Sequence, residues 1–387
     1  MATALVLGAS GVSGWGVLDE LRTYPSPTAF KRIIGLTYRP LTKETAMVPE
    51  EDHHRVELYS GFDLGLPVDE IAKRLKAIDN IGDVGPVYFT AYTAHGQGHD
   101  EVIRANVALV SNSIQALEKV CPNFSFFTLQ TGGKHYGLEW IEHIKIEIPL
   151  KESAPRVPSP WGDKIFYYAQ VDEIKRLAKG KKWGWCELRP DAIIGFVPQN
   201  NAMSIVQGLG LYFSFYKWLH GPNPPPVRFP GNEGAWNAKR TDTSSTVLAR
   251  FHIYASLHPE RVDGKSFNVA DSSEPTQWKV LWPIICNYFG VSTLDGPDPE
   301  GKAQSIGAFM EGNKDKWTQW VRETRVRPGT LEGTSWPFIN YLTQEWTFDH
   351  PFDLTEMYAT GFPDVLDTPT QWLLGFDRMK AANLIPK

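Results

Sequence analysis

The chain has 387 residues, enough for two domains or for one large nucleotide-binding domain with a substantial addition. Its 39 basic and 44 acidic residues leave a net charge of −5 with no basic run able to track a phosphate backbone, which argues against a nucleic-acid partner. The three cysteines, Cys121, Cys186 and Cys286, are far apart and lack metal-ligand spacing, so they are expected to be buried thiols in a reducing compartment, with no metal site.

The first apolar run, "ATALVLGAS", is too short for a signal peptide and has no basic residue before it. It is predicted to be a strand, and the protein cytoplasmic. Further runs, "RIIGLTY", "HRVELYS", "PVYFTAY", "FSFFTLQT" and "WCELRP", are separated by stretches with helical spacing, notably "VDEIAKRLKAI" and "HDEVIRANVALVSNSIQALEKV". Alternating strands and helices predict an α/β fold, a Rossmann-type doubly wound parallel sheet covered on both faces. Beyond Arg189 the texture changes, with frequent proline and tryptophan in "HGPNPPPVRFPG" and "TSWPFINYLTQEWTF". The expected organisation is a nucleotide-binding domain over 1–195, with a return segment near 235–275. A smaller, mostly helical substrate-binding region is expected over 196–387. The run "IVQGLGLYFSFYKWLHG" is interrupted by Gly208, Gly210 and Lys217 and falls short of a membrane span.

"LVLGASGVSGWG" places Gly8, Gly11 and Gly14 at three-residue intervals after a strand and at the start of a helix. Glycines there allow a tight turn and close approach to a pyrophosphate, which the helix N-terminus attracts. Ser10 and Val12 belong to the same turn. The second strand ends at Tyr38, Arg39 and Pro40 without the carboxylate that an NAD ribose would need. Arg39 has the fork geometry for a 2′-phosphate, so NADP (as NADPH) is favoured over NAD; an ordinary exposed arginine is the alternative. Asp63 and Leu64, after the third strand, are candidates for holding the adenine, with local turn formation by Asp63 the alternative. Thr90, Ala91 and Tyr92 end the fourth strand. Gln130 and Thr131 end the fifth, Pro190 ends the sixth and Ile193 follows it, where ligands of such sheets bind.

"KIFYYAQVDEIKRL" opens a helix with two tyrosines, yet Val171 and Asp172 stand where a helical lysine partner would be expected. Helical spacing puts Tyr167 with Val171, Ile174 and Ala178, and Tyr168 with Asp172, Lys175 and Lys179. Tyr167 is therefore expected to face inward and Tyr168 outward. The missing cation is expected from Lys134 in "TGGKHYG", just past the fifth strand, with Lys164 the competing candidate.

"GASGVSG", "TYRP", "TGGKHYG", "IFYYAQVDEI", "LRPDAIIGF" and "WLLGFDRMKAANLIP" together resemble the progesterone 5β-reductase/iridoid synthase-like (PRISE) family. These are atypical extended short-chain dehydrogenases/reductases, and the likeness covers nearly the whole chain. The resemblance implies an NADPH-dependent reductase of activated C=C bonds, with the family's lysine at Lys134 and its tyrosine at Tyr167. Two departures stand out. Tyr38 occupies a position where the family commonly has a second basic residue, and "GLEWIE" replaces the usual glycine-proline-aromatic run after "KHY".

On this reading Tyr167 hydrogen-bonds the enolate oxygen that forms when an enone or enal is reduced, and Lys134 lowers its pKa. A 1,2-carbonyl reductase, a non-redox cyclase or isomerase, and an NADP-sensing binding protein are the alternatives. Trp140, Phe213, Trp336, Phe338 and Tyr341 are candidates for an apolar pocket suited to a terpenoid, steroid or polyketide enone, enal or ketone; each has a core role as its alternative. A homodimer is an allowed assembly.

Overall fold

The computed structural model describes residues 2–94 and 98–387. Its centre is a seven-stranded sheet, and the inner strands are buried on both faces, so they read as continuous apolar runs rather than as alternating ones. β1 (Ala2–Leu7) is buried at every position after its first. It turns into α1 (Val12–Glu20), and then come β2 (Phe30–Leu36), β3 (Val56–Tyr59), α2 (Val68–Lys76) and β4 (Val84–Phe89). The long helix α3 (His99–Val120) leads to β5 (Phe126–Gln130), and α4 (Phe166–Ala178) leads to β6 (Gly184–Pro190). The last strand, β7 (Lys265–Val269), arrives much later in the chain and pairs with β6.

The spatial order is β7-β6-β5-β4-β1-β2-β3, and every pairing is parallel. Chain order reverses between β1 and β4. Such a reversal splays the following connections to opposite faces and opens a crevice beyond the carboxyl ends of the two strands.

On one face α2, α3 and α4 bury Ile71, Leu75, Val110, Ile114 and Ile174 against Leu5, Val87 and Phe127. On the other, the helix Ser245–Leu257 is tied to the sheet by buried polar contacts. Tyr88 and Ser256 share a 2.8 Å hydrogen bond, and Thr128 Oγ1 lies 2.7 Å from His252 Nδ1. Burial pushes His252 down to about 3, so its ring is neutral at physiological pH.

The chain divides into two compact units. One comprises the chain up to Ala192 together with Thr246–Ala270 and Asp353–Asp364, and holds the whole seven-stranded sheet. The other comprises Ile193–Ser245, Asp271–Phe352 and Val365–Lys387. It is mainly helical, with two small parallel strand pairs, Val227–Phe229 with Thr293–Pro297 and Ile193–Ile194 with Thr243–Ser244. Its longest helix, Ile205–His220, is capped by Ser204, whose side chain accepts from the Gln207 N–H. All three cysteines are buried and free. No described helix is long and apolar enough to cross a membrane.

Candidate active site

The glycine turn divides its labour in space. Gly8 has φ +92°, and a Cβ there would stand 2.9 Å from the Ala91 nitrogen. Gly14 sits so close beneath the turn that a Cβ would be driven onto the Gly8 carbonyl oxygen and to 2.7 Å from Thr90 Oγ1. Any side chain at either position would force β1, β4 and α1 apart. Gly11 differs: the nearest atom to its Cβ would be Gly8 O at 3.6 Å, so that side of the turn is open. The N-cap residue of α1 is Gly11, so no N-cap side chain competes for the free N–H groups of its first turn. Ser10 and Val12 are half-buried in the same turn. An open glycine face beside an uncapped helix start is the cradle that a pyrophosphate fits.

Around this turn the expected residues take distinct positions. Arg39 is exposed after β2, and among the described residues its guanidinium makes no hydrogen bond or ion pair. Asp63 accepts from the Gly65 N–H at 2.8 Å, a turn-forming contact, while Leu64 is packed into the core. Thr90 donates from both its N–H and its hydroxyl to Leu7 O, at 2.9 and 3.0 Å, which fixes the end of β4 against β1. Beyond Ala91, the exposed Tyr92 ring stacks on Phe166 at 5.7 Å. Gln130 donates to Ser13 Oγ at 2.9 Å and so ties the end of β5 to the glycine turn. Its Oε1 is buried with no hydrogen-bond partner among the described residues. Ile193 lies in the second unit, paired with Thr243.

Tyr167 reaches the same strand ends. Its hydroxyl is 3.3 Å, and Pro190 O 3.4 Å, from the point where a side chain at Gly132 would begin. The residue is half-buried, and among the described residues its hydroxyl makes no hydrogen bond. Burial, followed by the charges of Tyr92, Glu139 and Glu187, holds its pKa well above the ordinary tyrosine value. The phenol is thus a neutral, unengaged donor. Lys134 stands on a single tight turn, Gly133–Tyr136, as expected past β5, but its side chain is 57% exposed and its ammonium pairs with Glu139 Oε1 at 2.6 Å. Among the described residues no hydrogen bond joins it to Tyr167, and the expected lowering of the phenol's pKa is not what this geometry produces. Lys164 lies over the Trp161 ring at 4.3 Å.

The expectation that Tyr168 faces outward is overturned. Tyr168 is only 8% exposed; its hydroxyl donates to His135 O at 2.6 Å and accepts from the Val157 N–H at 3.0 Å. A buried polar network that sequence reasoning missed lies behind it. The Glu187 carboxylate accepts from Thr131 Oγ1 at 2.7 Å, Ser266 Oγ at 2.6 Å and Arg189 at 2.8 Å, and faces His135 Nδ1 at 3.5 Å. Tyr136 donates to Asn268 Oδ1 at 2.6 Å. The network thus grips Thr131, His135 and Tyr136 around Lys134. Its signal was present in "CELRP", where two charges sit inside a strand that is otherwise apolar.

The aromatic candidates divide by burial. In the first unit Trp140 is half-buried, its ring 5.9 Å from Trp161. In the second unit Phe213 is 0% exposed among Trp282 and Phe289, and Trp336 is buried beside Trp317, whereas Phe338 and Tyr341 keep partial exposure. Phe213 therefore acts as core in this structure. Among the described residues no group of His, Cys, Asp or Glu is arranged to hold a metal ion.

A PRISE-like Rossmann-fold domain model matches residues 4–386. The chain belongs to the PRISE-like family. This PRISE-like protein is 35% identical over 393 residues to the short chain dehydrogenase sirQ of Leptosphaeria maculans, an alignment covering 100% of this chain and 98% of that one. It is 28% identical to the (S)-8-oxocitronellyl enol synthase ISY1 of Nepeta racemosa, over 100% and 93% of the two chains. Among solved structures it is similar in fold to a UDP-glucuronic acid 4-epimerase from Bacillus cereus in complex with NAD, with TM-score 0.62, 12% identity and coverage of 98% and 99%. The PRISE-like chain is thus a short-chain dehydrogenase/reductase of the extended, Rossmann-type kind.

Proposed function

We propose that this protein is an NADPH-dependent reductase of polarised C=C bonds, acting by 1,4-reduction of an apolar enone or enal. The observation that carries the reading is the unengaged Tyr167 hydroxyl beside Gly132 and Pro190, two residues from Gln130, which is itself bonded to the glycine turn. A neutral phenol donor suits an oxyanion site. It stabilises negative charge on an oxygen through a hydrogen bond that strengthens as the charge develops.

Gly8, Ser10, Gly11, Val12 and Gly14 would hold the dinucleotide phosphates, Arg39 the 2′-phosphate, and Thr90, Ala91, Gln130 and Pro190 would surround the nicotinamide end. NADPH, when bound, supplies the hydride. Lys134 would leave Glu139 for the ribose hydroxyls, bringing its charge towards Tyr167 and drawing the phenol's pKa down. Tyr167 would donate to the substrate carbonyl oxygen, and the α-carbon would take its proton from water. We assign substrate recognition to the second unit, where the partial exposure of Phe338 and Tyr341 supports contact with an apolar molecule. The relatives' printed names, a short chain dehydrogenase and an enol synthase, fit small-molecule chemistry of this kind.

The test is NADPH consumption across a panel of enals, enones, isolated ketones and aldehydes, with product analysis. Saturated carbonyl products from the conjugated substrates are expected. Allylic alcohols would assign 1,2-reduction instead, and cofactor binding without consumption would remove the reductase reading.

A further inference from the structure

We propose that Tyr168 is a positioning residue for this reaction, holding in place the turn that carries Lys134; the inference rests on the reductase reading above. One turn of α4 then has two jobs. Tyr167 presents the donor, and its neighbour fixes the cation's backbone.

Within Gly133–Tyr136, Lys134 is the only exposed side chain, while His135 and Tyr136 are buried on either part of the network. The turn closes through His135 N to Gly132 O at 2.9 Å and Gly137 N to Lys134 O at 3.0 Å. A single tight turn of this kind has poor hydrogen-bond geometry and little stability of its own. Its placement therefore depends on outside contacts. The Tyr168 hydroxyl supplies one directly to the backbone, at His135 O. Its ring meets the His135 ring edge-on at 4.8 Å.

Tyr168 is itself held from two sides. The Val157 N–H donates to its oxygen, and the Arg156 guanidinium lies 4.8 Å from its ring centre. Arg156 in turn is gripped by both oxygens of Asp172, one turn further along α4, at 2.8 and 2.6 Å. This bidentate pair fixes the orientation of the guanidinium plane. A phenol with both its donor and its acceptor used, and its ring flanked on two sides, is a rigid strut between α4 and the lysine turn.

The test is a double-mutant cycle of Tyr168→Phe and Lys134→Ala in the full chain, reading NADPH affinity by fluorescence and steady-state turnover of an enone, with thermal melts as the check of folding. Tyr168→Phe is expected to lower NADPH affinity and kcat about tenfold or more, the scale on which small misplacements of a reacting group act. In the Lys134→Ala background the same change should alter affinity less than about twofold, because residues acting through one another are non-additive. Additive losses, with Lys134→Ala itself impaired, would overturn the proposal and leave the reductase reading standing. Wild-type affinity and turnover in Lys134→Ala would overturn both. Should Tyr168→Phe not fold, 3,5-difluorotyrosine at position 168 keeps ring and bonds while altering the phenol's acidity. A shift in NADPH affinity only while Lys134 is present supports the proposal; a shift that persists in Lys134→Ala, or none at all, overturns it.

Discussion

Glu187 and Arg189 stand two residues apart on β6, and their side chains meet at 2.8 Å inside the protein. Spacing of two puts both on one face of a strand. Burial alone would push the Glu187 carboxyl up, but His135 and Arg189 outweigh it and hold it well below the usual carboxylate range. Removing the acid leaves a buried guanidinium without its counter-charge, so Glu187→Ala is expected to destabilise the protein by about 3–5 kcal/mol. The pH dependence follows from the depressed value. The contribution is fully present above the unfolded pKa of about 4.3 and is lost as pH falls from there towards the folded value. Urea unfolding between neutral pH and pH 3 checks this, the wild type losing more stability on acidification than the variant.

Asp271 titrates in the opposite sense. It is fully buried in the second unit, where it accepts from the Ser244 N–H at 2.9 Å and from Thr368 Oγ1 at 3.2 Å. Burial raises its carboxyl to about 7, and neighbouring Asp242 adds to the rise. A folded pKa above the unfolded value of about 3.9 means that its stabilising share is full below that value and is lost as pH climbs towards 7. The slope approaches about 1.4 kcal/mol per pH unit between these limits. Asp271→Asn should flatten the fall in melting temperature between pH 4 and 7, and an unchanged profile would contradict the assignment.

What could be read from the chain, and what could not, follows from the kind of interaction. The sheet strands were legible because burial on both faces demands runs such as "ALVLGA" and "FSFFTLQT". The glycine turn was legible because its spacing is imposed by backbone contacts, seen at Gly8 and Gly14. Tyr168 was misread for a geometric reason. Helical side chains lean towards the N-terminus, so a residue in the first turn of α4 covers what precedes the helix. Tyr168 therefore packs on Val157 and His135, and Asp172, Lys175 and Lys179 further along the helix say nothing about its burial. Glu187 and Arg189 were missed because their partners, Thr131, His135 and Ser266, come from just past β5, the turn after it and β7. No local pattern encodes such a meeting.

Arg39 carries the choice of cofactor. With no acid at the end of β2 and a guanidinium that makes no hydrogen bond or ion pair among the described residues, NADPH should bind more tightly than NADH. Arg39→Ala should weaken NADPH by about 10- to 100-fold, the worth of charge-assisted hydrogen bonds, and leave NADH nearly unchanged. Titration calorimetry with both cofactors reads the difference; equal affinities in the unaltered protein would contradict it.

Gly14 offers a steric test of the same site. Gly14→Ala drives a methyl group against Gly8 O and Thr90 Oγ1, at a cost of about 1–3 kcal/mol for overpacking. The expected outcome is a cooperative melt at lower temperature with NADPH affinity reduced tenfold or more. Undiminished cofactor binding would place the dinucleotide elsewhere.

The central claim concerns the Tyr167 hydroxyl, and the measurement that bears on it most directly is steady-state turnover of an enone by Tyr167→Phe, with NADPH binding confirmed. Loss of an oxyanion donor predicts a fall in kcat of about 10²-fold or more with cofactor affinity retained. Turnover equal to that of the unaltered protein would make Tyr167 a structural side chain and contradict the account.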